Sequence, residues 1–354
     1  MRVLVSIQYL RAFAAISVVT YHTLLEIVRP GPTEPFHLYA LAFGVDIFFV
    51  ISGFIMWTML QGGEQRPLAF LRARAIRVVP LYWLALAVYL GVLFLQDGGT
   101  TSHLPSLSEI AEAYLFIPYI DSRTGLNSPY YTLGWTLNYE MFFYLVFAFG
   151  LLFREATVRF GVILLIFAGL VLMRPVVGDS DPVLFRVTSP LLLEFFAGMA
   201  IAAARRHRLT LPPLVALAAL VAALAFLVLI SSTHHQSWPR AVYFGVPATL
   251  IVLGVVSLEE RLSRRPQAPL LLFGDASYSI YLSHDIVLKL IFVYGSSFAL
   301  LHPVIAFAGL LATEIALGET CYHRVEQPLL ERLRRRLPSA RRGVIPAIVP
   351  ARTG

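Results

Sequence analysis

The sequence predicts an all-α fold, a polytopic integral membrane bundle of about ten transmembrane helices with N- and C-termini cytoplasmic. Three observations carry that expectation. Of 354 residues, 58% are hydrophobic and 14% charged, against about 25% charged in an ordinary soluble domain. The apolar residues fall into blocks, several of them near the roughly 20 residues that a bilayer crossing requires. The basic residues are shared very unequally between the segments that join those blocks.

The blocks are 6–27, 38–60, 78–96, 134–153, 159–174, 188–204, 211–231, 241–257, 272–293 and 301–321. The first is expected to be a retained helix and not a cleaved leader, because Arg11 and His22 interrupt its apolar run and no small-residue cleavage site follows. The second contains Gly44 and Gly53, which suit close helix packing. The third is entered through a loop bearing Arg72, Arg74 and Arg77, with Pro80 in the first helical turn and Tyr82 and Trp83 at the interface. Before the fourth lies the longest loop, 97–133, whose Leu115-Phe-Ile-Pro-Tyr stretch reads as interfacial. The tenth is followed by a basic tail with Arg334-Arg-Arg and several prolines. The chain therefore divides into a transmembrane domain, 1–324, and a cytoplasmic tail, 325–354, expected to be disordered near anionic lipid. No internal repeat is visible, so an inverted-repeat transporter has no positive support.

With the N-terminus inside, 21 of the 28 Lys and Arg residues fall on the cytoplasmic side and five opposite, with Arg11 and Lys289 inside spans. That is a strong positive-inside pattern. The net charge of +7 is thus a topology signal, and no nucleic acid partner is expected. A single cysteine, Cys321, excludes an internal disulfide and a multi-cysteine metal centre. His234-His235 in a loop is a poor metal constellation, and no metal is expected.

Ionisable residues inside a bilayer are functional candidates by default. Within the blocks they are Arg11, His22, Asp46, Glu140, Glu194, His284, Asp285, Lys289, Glu314 and Glu319. Arg11 and His22 are eleven residues apart, which is about three helical turns, so they share a face about 16 Å apart. His22, Asp46, Glu140 and His284 come from four blocks and fall at a similar depth in the outer half. A neutral imidazole takes a proton from a hydroxyl, and a carboxylate beside it fixes its tautomer. A dyad of His22 with Asp46 or Glu140 is therefore a candidate general base for attack by a sugar or other alcohol. The alternative is that each polar group only bonds a neighbouring helix. That alternative stands most evenly for Glu194, His284 and Glu314, while Asp285 and Lys289, at i,i+4, read as a self-neutralising pair. Ser52-Gly53 lacks the flanks of a nucleophile elbow, so the site reads as a base and not a serine nucleophile. Arg72, Arg74 and Arg77 suit phosphate recognition, and ordinary positive-inside topology explains them equally well.

Five stretches carry a resemblance: Tyr9-Leu-Arg11 through His22; Phe43-Gly-Val-Asp46 through Phe54; Arg74-Ala-Ile-Arg77; Gly134-Trp-Thr-Leu-Asn-Tyr-Glu140 through Tyr144; and Ser277-Tyr-Ser-Ile-Tyr281-Leu-Ser-His284. In this order, and over about residues 6–328, the chain resembles the membrane-bound acyltransferase-3 family, most closely its exopolysaccharide O-acetyltransferase branch. The resemblance implies a ten-helix protein of the bacterial inner membrane. Its expected reaction passes an acyl group, usually acetyl, from cytoplasmic acyl-CoA to a hydroxyl of a surface glycan, free or lipid-linked. It implies catalytic roles for Arg11, His22, Asp46 and Glu140, and CoA-phosphate binding by Arg74 and Arg77 with Arg72 beside them. His284, Glu194 and Tyr144 are expected to line the substrate path. Acetyl-CoA is then a co-substrate, and partners include the bilayer, other polysaccharide-biosynthesis proteins and further copies of the chain. His22 as base and His22 as transient acyl carrier both remain open. So do a non-glycan acceptor and, outside enzymes, a glycan flippase or transporter.

Overall fold

The computed structural model describes residues 4–28, 39–60, 65–96, 98–100, 104–178, 180–232, 240–294 and 302–335. Every regular element among them is helical. Helix α1 is Val5–Val28 and, after a 3-10 turn Ala40–Phe43, α2 is Gly44–Met59. Next come α3 Pro67–Gln96, the loop helix α4 Leu107–Tyr114, α5 Gly134–Gly150, α6 Ala156–Val177 and the short α7 Pro182–Val187. Helices α8 Leu192–Arg206 and α9 Pro213–Ser232 follow, then a π turn Ala241–Gly245 leading into α10 Val246–Ser257. The chain continues through α11 Glu259–Leu262, α12 Ala268–Tyr294, α13 Pro303–Cys321, a π turn Tyr322–Glu326 and α14 Gln327–Arg335.

Among the described residues, seven helical segments are long and apolar enough to cross a membrane: Val5–Val28, Ala40–Met59, Pro67–Gln96, Ala156–Val177, Pro182–Arg206, Pro213–Ile230 and Pro303–Arg335. The other three apolar blocks are also helical, but α5 and α10 are short and α12 carries Asp275, Asp285 and Lys289. Helices α6 and α9 expose Leu165, Leu172, Leu214 and Val228, the outward apolar surface expected of helices bathed in lipid.

Helix α2 sits in the middle of the fold because its glycines let two neighbours touch its backbone. A Cβ on Gly44 would lie 2.4 Å from Ala14 O of α1, one on Gly53 1.8 Å from Phe195 O of α8, and one on Gly198 1.9 Å from Val50 O. These close approaches bear out the packing role expected of Gly44 and Gly53. The aromatic core begins beside that seam, with Phe195 stacked between Phe49 and Phe143 at ring separations of 4.8 and 4.5 Å.

Two sequence expectations change. The arginine triplet lies inside α3, which starts eleven residues before the apolar block, and Pro80 is interior to that helix. The tail departs from expectation as well: residues 325–335 are helical, and Glu326 is 1% exposed. Its oxygens accept from Arg77 and, at 2.6 Å, from Ser279 Oγ, and these bonds anchor that end. Residues 336–354 and His234-His235 lie outside the described residues.

We call the end of the bundle where α1 begins the lower end and the other the upper end. Val5 N and Ser6 N donate to Glu259 at the lower end, over 3.0 and 2.8 Å. At the upper end the segment 104–133 is ordered by its own bonds. Ser106 caps α4 in a capping box with Glu109, and Glu109 Oε1 also accepts from Ser122 N at 2.7 Å. Arg123 grips both oxygens of Asp121, Nε to Oδ1 at 2.9 Å and Nη2 to Oδ2 at 2.7 Å.

Candidate active site

The site residues separate into four groups. The first joins α1 to α12. His22 Nδ1 lies 2.8 Å from His284 Nε2, with the two rings stacked at 5.0 Å. His284 Nδ1 lies 2.6 Å from Tyr281 O. A carbonyl only accepts, so His284 Nδ1 carries the hydrogen and, in the neutral ring, Nε2 carries the lone pair. His22 Nδ1 must then be the donor between the rings. Its own lone pair is left on Nε2, the atom free to take a proton. Beside the pair, Thr23 Oγ1 donates to Glu314 Oε2 at 2.7 Å.

The second group is Asp46, Glu194 and Arg240. Asp46 is fully buried and accepts from Arg240 Nη2 at 2.7 Å and Nε at 3.2 Å. Arg240 also donates to Tyr39 Oη at 2.8 Å and Ala42 O at 3.0 Å. Glu194 is buried with neither carboxylate oxygen hydrogen-bonded, and Gly245 leaves the room it occupies, since a Cβ there would lie 2.6 Å from Glu194 Oε1.

The third group is Glu140, which accepts from Ser52 Oγ at 3.1 Å and from Tyr144 Oη. It belongs to a cavity of about 210 Å³ lined by Arg11, Arg74, Arg77 and Arg334 and also by Phe48 and Tyr281. Arg74 is buried with its Nε unpartnered. Arg77, by contrast, is bonded to Glu326 and lies 5.4 Å from the Tyr278 ring centroid. Arg11 Nη1 donates to Gln8 Oε1 at 3.2 Å, and Gln8 Nε2 in turn donates to Asp275 Oδ1 at 2.6 Å. Tyr281, which lines the cavity, is three residues and so about one helical turn from His284.

The fourth group lies at the upper end, where a recess of about 500 Å³ is lined by Tyr89 of α3, Asp121, Arg123 and Tyr130 of the loop, and Lys289 of α12.

This arrangement alters the expected pairing. Among the described residues no hydrogen bond joins His22 to Asp46 or Glu140; its partner is His284. The reason is helical phase. Gly44 faces α1, and Asp46, two residues on, points about 200° around α2, away from it. Glu194 lies with Asp46 rather than along the arginine cavity, whereas Tyr144 does line it. Arg72 is exposed and outside that lining, because residues 72 and 77 lie about 140° apart on a helix while 74 and 77 lie about 60° apart. Asp285 Oδ2 is buried without a hydrogen-bond partner, so the expected Asp285–Lys289 pair is not closed through that oxygen.

Sequence reasoning missed Arg240, taken as one of the five loop arginines, and Glu326, taken as the start of the tail. Gln8 was findable, since it stands one turn before Arg11 on the same face. Among the described residues, no three His, Cys, Asp or Glu side chains gather as a metal-binding set.

A family model described as an acyltransferase domain matches residues 4–318. The chain belongs to that acyltransferase-3 family. This acyltransferase is similar to the exopolysaccharide production protein ExoZ of Rhizobium meliloti (strain 1021), with 37% identity over 306 residues, 84% of this chain and 92% of that one. No solved structure matches it. The membership and the seven apolar helical segments make the acyltransferase a multi-pass membrane protein.

Proposed function

We propose that this acyltransferase moves an acyl group, acetyl in the first instance, from cytoplasmic acyl-CoA to a hydroxyl of an exopolysaccharide glycan. It would do so in the bacterial inner membrane, with ten spans and the lower end cytoplasmic. One observation carries the reading: a single cavity is lined both by Arg11, Arg74 and Arg77 and by Tyr281, one helical turn from His284 of the histidine pair. The unpartnered donor of Arg74 suits a CoA phosphate, which guanidinium recognises by paired N–H bonds. The pantetheine arm would follow the cavity upward and present its thioester near Tyr281. The likeness to an exopolysaccharide production protein supports a glycan acceptor reaching the pair from the upper end.

In the reaction, His22 Nε2 accepts the acceptor's hydroxyl proton as the oxygen attacks the thioester carbonyl. The C–O bond forms, the C–S bond breaks, and the proton passes from His22 to the departing thiolate, giving an ester and CoA thiol. Glu140, held by Ser52 and Tyr144 on the cavity wall, and Arg11, held by Gln8, shape the donor path. Asp46, already paired with Arg240, holds α2 against the π turn before α10.

The test is alkali-labile acetyl on surface polysaccharide in a deletion strain carrying wild type or His22→Ala at matched membrane levels. Acetyl restored by wild type and lost in His22→Ala is the expected result. Near-normal acetyl in the variant removes the base assignment. Equal acetyl in deletion and wild type moves the acceptor elsewhere, or the protein to transport.

A further inference from the structure

The upper-end recess has neither His22 nor His284 in its lining. Its wall is the outer part of α3, its roof the 121–132 segment, and its floor α12 at Lys289. Tyr131 Oη donates to Leu282 O, which ties the roof to α12 two residues from His284. At about 500 Å³ the recess falls within the range of ligand pockets, about 300–1,000 Å³.

Three features define what it would take. The first is an accumulation of unanswered hydrogen-bonding groups. Ser128 and Tyr130 line the recess, and their hydroxyl oxygens lie buried behind its surface without partners, as do both amide atoms of the adjacent Asn127. Buried polar groups are almost always bonded, so several together mark a place where bonds are supplied from outside. All three side chains both donate and accept. A polyol answers both roles, whereas a carboxylate or phosphate offers mainly acceptors.

The second feature is charge. Arg123 is engaged by both oxygens of Asp121, whose carboxyl its hydrogen bonds hold below the usual value. Lys289 stands one turn above Asp285 on the same face of α12. Arg123 is thus paired, and Lys289 has the Asp285 carboxyl within electrostatic reach though not bonded through its Oδ2; the balanced formal charge favours a neutral ligand over an anionic one. The third is a fixed aromatic wall: the Tyr89 and Tyr130 rings stack at 6.4 Å, and Arg123 lies 5.9 Å from the Tyr130 centroid.

From this geometry we propose that the recess is a carbohydrate subsite, holding a neutral sugar residue of the acceptor glycan beside the one that is acylated. The inference rests on the glycan acyl transfer proposed above and deepens it. The placement selects a flanking sugar. Lys289 is five residues beyond His284, about 7.5 Å further along α12 and about 140° around it. A residue bound there is too far around the helix to present its own hydroxyl to His22, but it holds the chain from which a neighbour reaches the pair. The subsite therefore sets which polymer is acylated without entering the chemistry.

The test uses Ser128→Ala and Tyr130→Phe, each of which deletes one unpartnered hydroxyl and keeps the packing. Membranes carrying each variant or wild type are given labelled acetyl-CoA and de-O-acylated oligosaccharides of the producing strain's exopolysaccharide, from one sugar to a full repeat. The expected result is a KM for the full repeat raised about 3- to 10-fold, the worth of one neutral hydrogen bond or slightly more, with kcat within about twofold. The single-sugar acceptor is unaffected. An unchanged KM for the full repeat overturns the subsite, and so does a fall in kcat shared by every acceptor. Calorimetric binding of the same oligosaccharide to detergent-purified protein separates the two proposals. Binding weakened in Tyr130→Phe upholds the subsite even where wild type transfers no acetyl, and binding equal in both rejects it even where transfer is normal.

Discussion

Replacing His284 tests the hydrogen-bond relay more sharply than replacing His22, because the two obvious substitutions are expected to behave oppositely. In the structure Tyr281 O fixes the hydrogen on His284 Nδ1, and His284 Nε2 then accepts from His22 Nδ1 over 2.8 Å. His284→Leu fills the volume but offers no acceptor, leaving the half-buried His22 with its Nδ1–H unpaired against an apolar side chain. An unsatisfied donor of this kind costs about 1–3 kcal/mol. If the loss falls on the transfer step, at about 1.36 kcal/mol per decade, the rate drops about 5- to 150-fold. His284→Gln sets a side-chain carbonyl near the former Nε2 position, where it accepts the same hydrogen, and should keep the rate within about fivefold of wild type by the same scale. The assay is initial-rate acetyl transfer in membranes, with protein level matched by an epitope tag. A merely structural role for His284 predicts that Leu, the better packing residue, is tolerated at least as well as Gln. That order of activities, or a Leu variant as active as wild type, would refute the relay.

Three further outcomes follow from the other clusters. Arg74→Ala should raise KM for acetyl-CoA by about tenfold, the loss of one charge-assisted contact, with normal protein levels; Arg77→Ala should instead reduce the amount of folded protein, because it leaves buried Glu326 without its cation, and thermal stability in detergent tells the two apart. Arg240→Met leaves Asp46 and Glu194 buried without a cation, a change of about 3–5 kcal/mol that should be read as a lowered melting temperature; adding Asp46→Asn should recover part of it, and a melt unaltered by Arg240→Met rejects the pairing. In the upper loop, partial burial works against ionisation of Glu109, but bonds from Ser106 and Ser122 outweigh it and hold the carboxyl down to about 2. Its folded value lies below the unfolded value of about 4.3, so its contribution is complete above that pH and is lost as pH falls from about 4 to about 2. Hydrogen exchange of residues 104–123 should rise over that window in wild type and lose the pH dependence in Glu109→Gln.

The helices and the chemistry-bearing residues were legible for one reason: a low-dielectric surrounding makes each polar group in an apolar block conspicuous. His22, Asp46, Glu140, Arg74 and His284 all stand out that way. Who meets whom was not legible. Depth along a helix can be counted from its end, but direction depends on which face packs, and that was set by Gly44 and Gly53 bringing α2 against α1 and α8. Hence Asp46 turned from His22 to Arg240, a residue that positive-inside counting had filed among loop arginines. The boundary of α3 was hidden because Arg72, Arg74 and Arg77 lower local hydropathy without lowering helix propensity, arginine being a good helix former. Glu326 was masked by the basic run after it, although a carboxylate facing Arg77 and Ser279 is what ends the mobile reading of that segment.

The pairing of two neutral imidazoles, in place of a histidine and a carboxylate, has a chemical consequence for the reaction proposed. A carboxylate on Nδ1 would stabilise the imidazolium formed when His22 takes the hydroxyl proton, and would let it persist. His284 offers only a neutral lone pair, so the single proton His22 takes up creates a cation with no counter-charge across the 2.8 Å contact. The protonated state is therefore short-lived, and the proton must leave His22 nearly as soon as it arrives. The departing CoA thiolate, presented from the cavity that Tyr281 lines, is the acceptor at hand. A base of this kind is poorly suited to activating a hydroxyl in advance. It suits a transfer in which attack, thiolate departure and both proton movements occur together, so that no buried charge outlasts the step. A solvent isotope effect on kcat for transfer by wild type should therefore be normal and well above one. In His284→Asp, where the carboxylate would hold the imidazolium, it should shrink toward one, and an equal effect in both proteins would argue against the coupling.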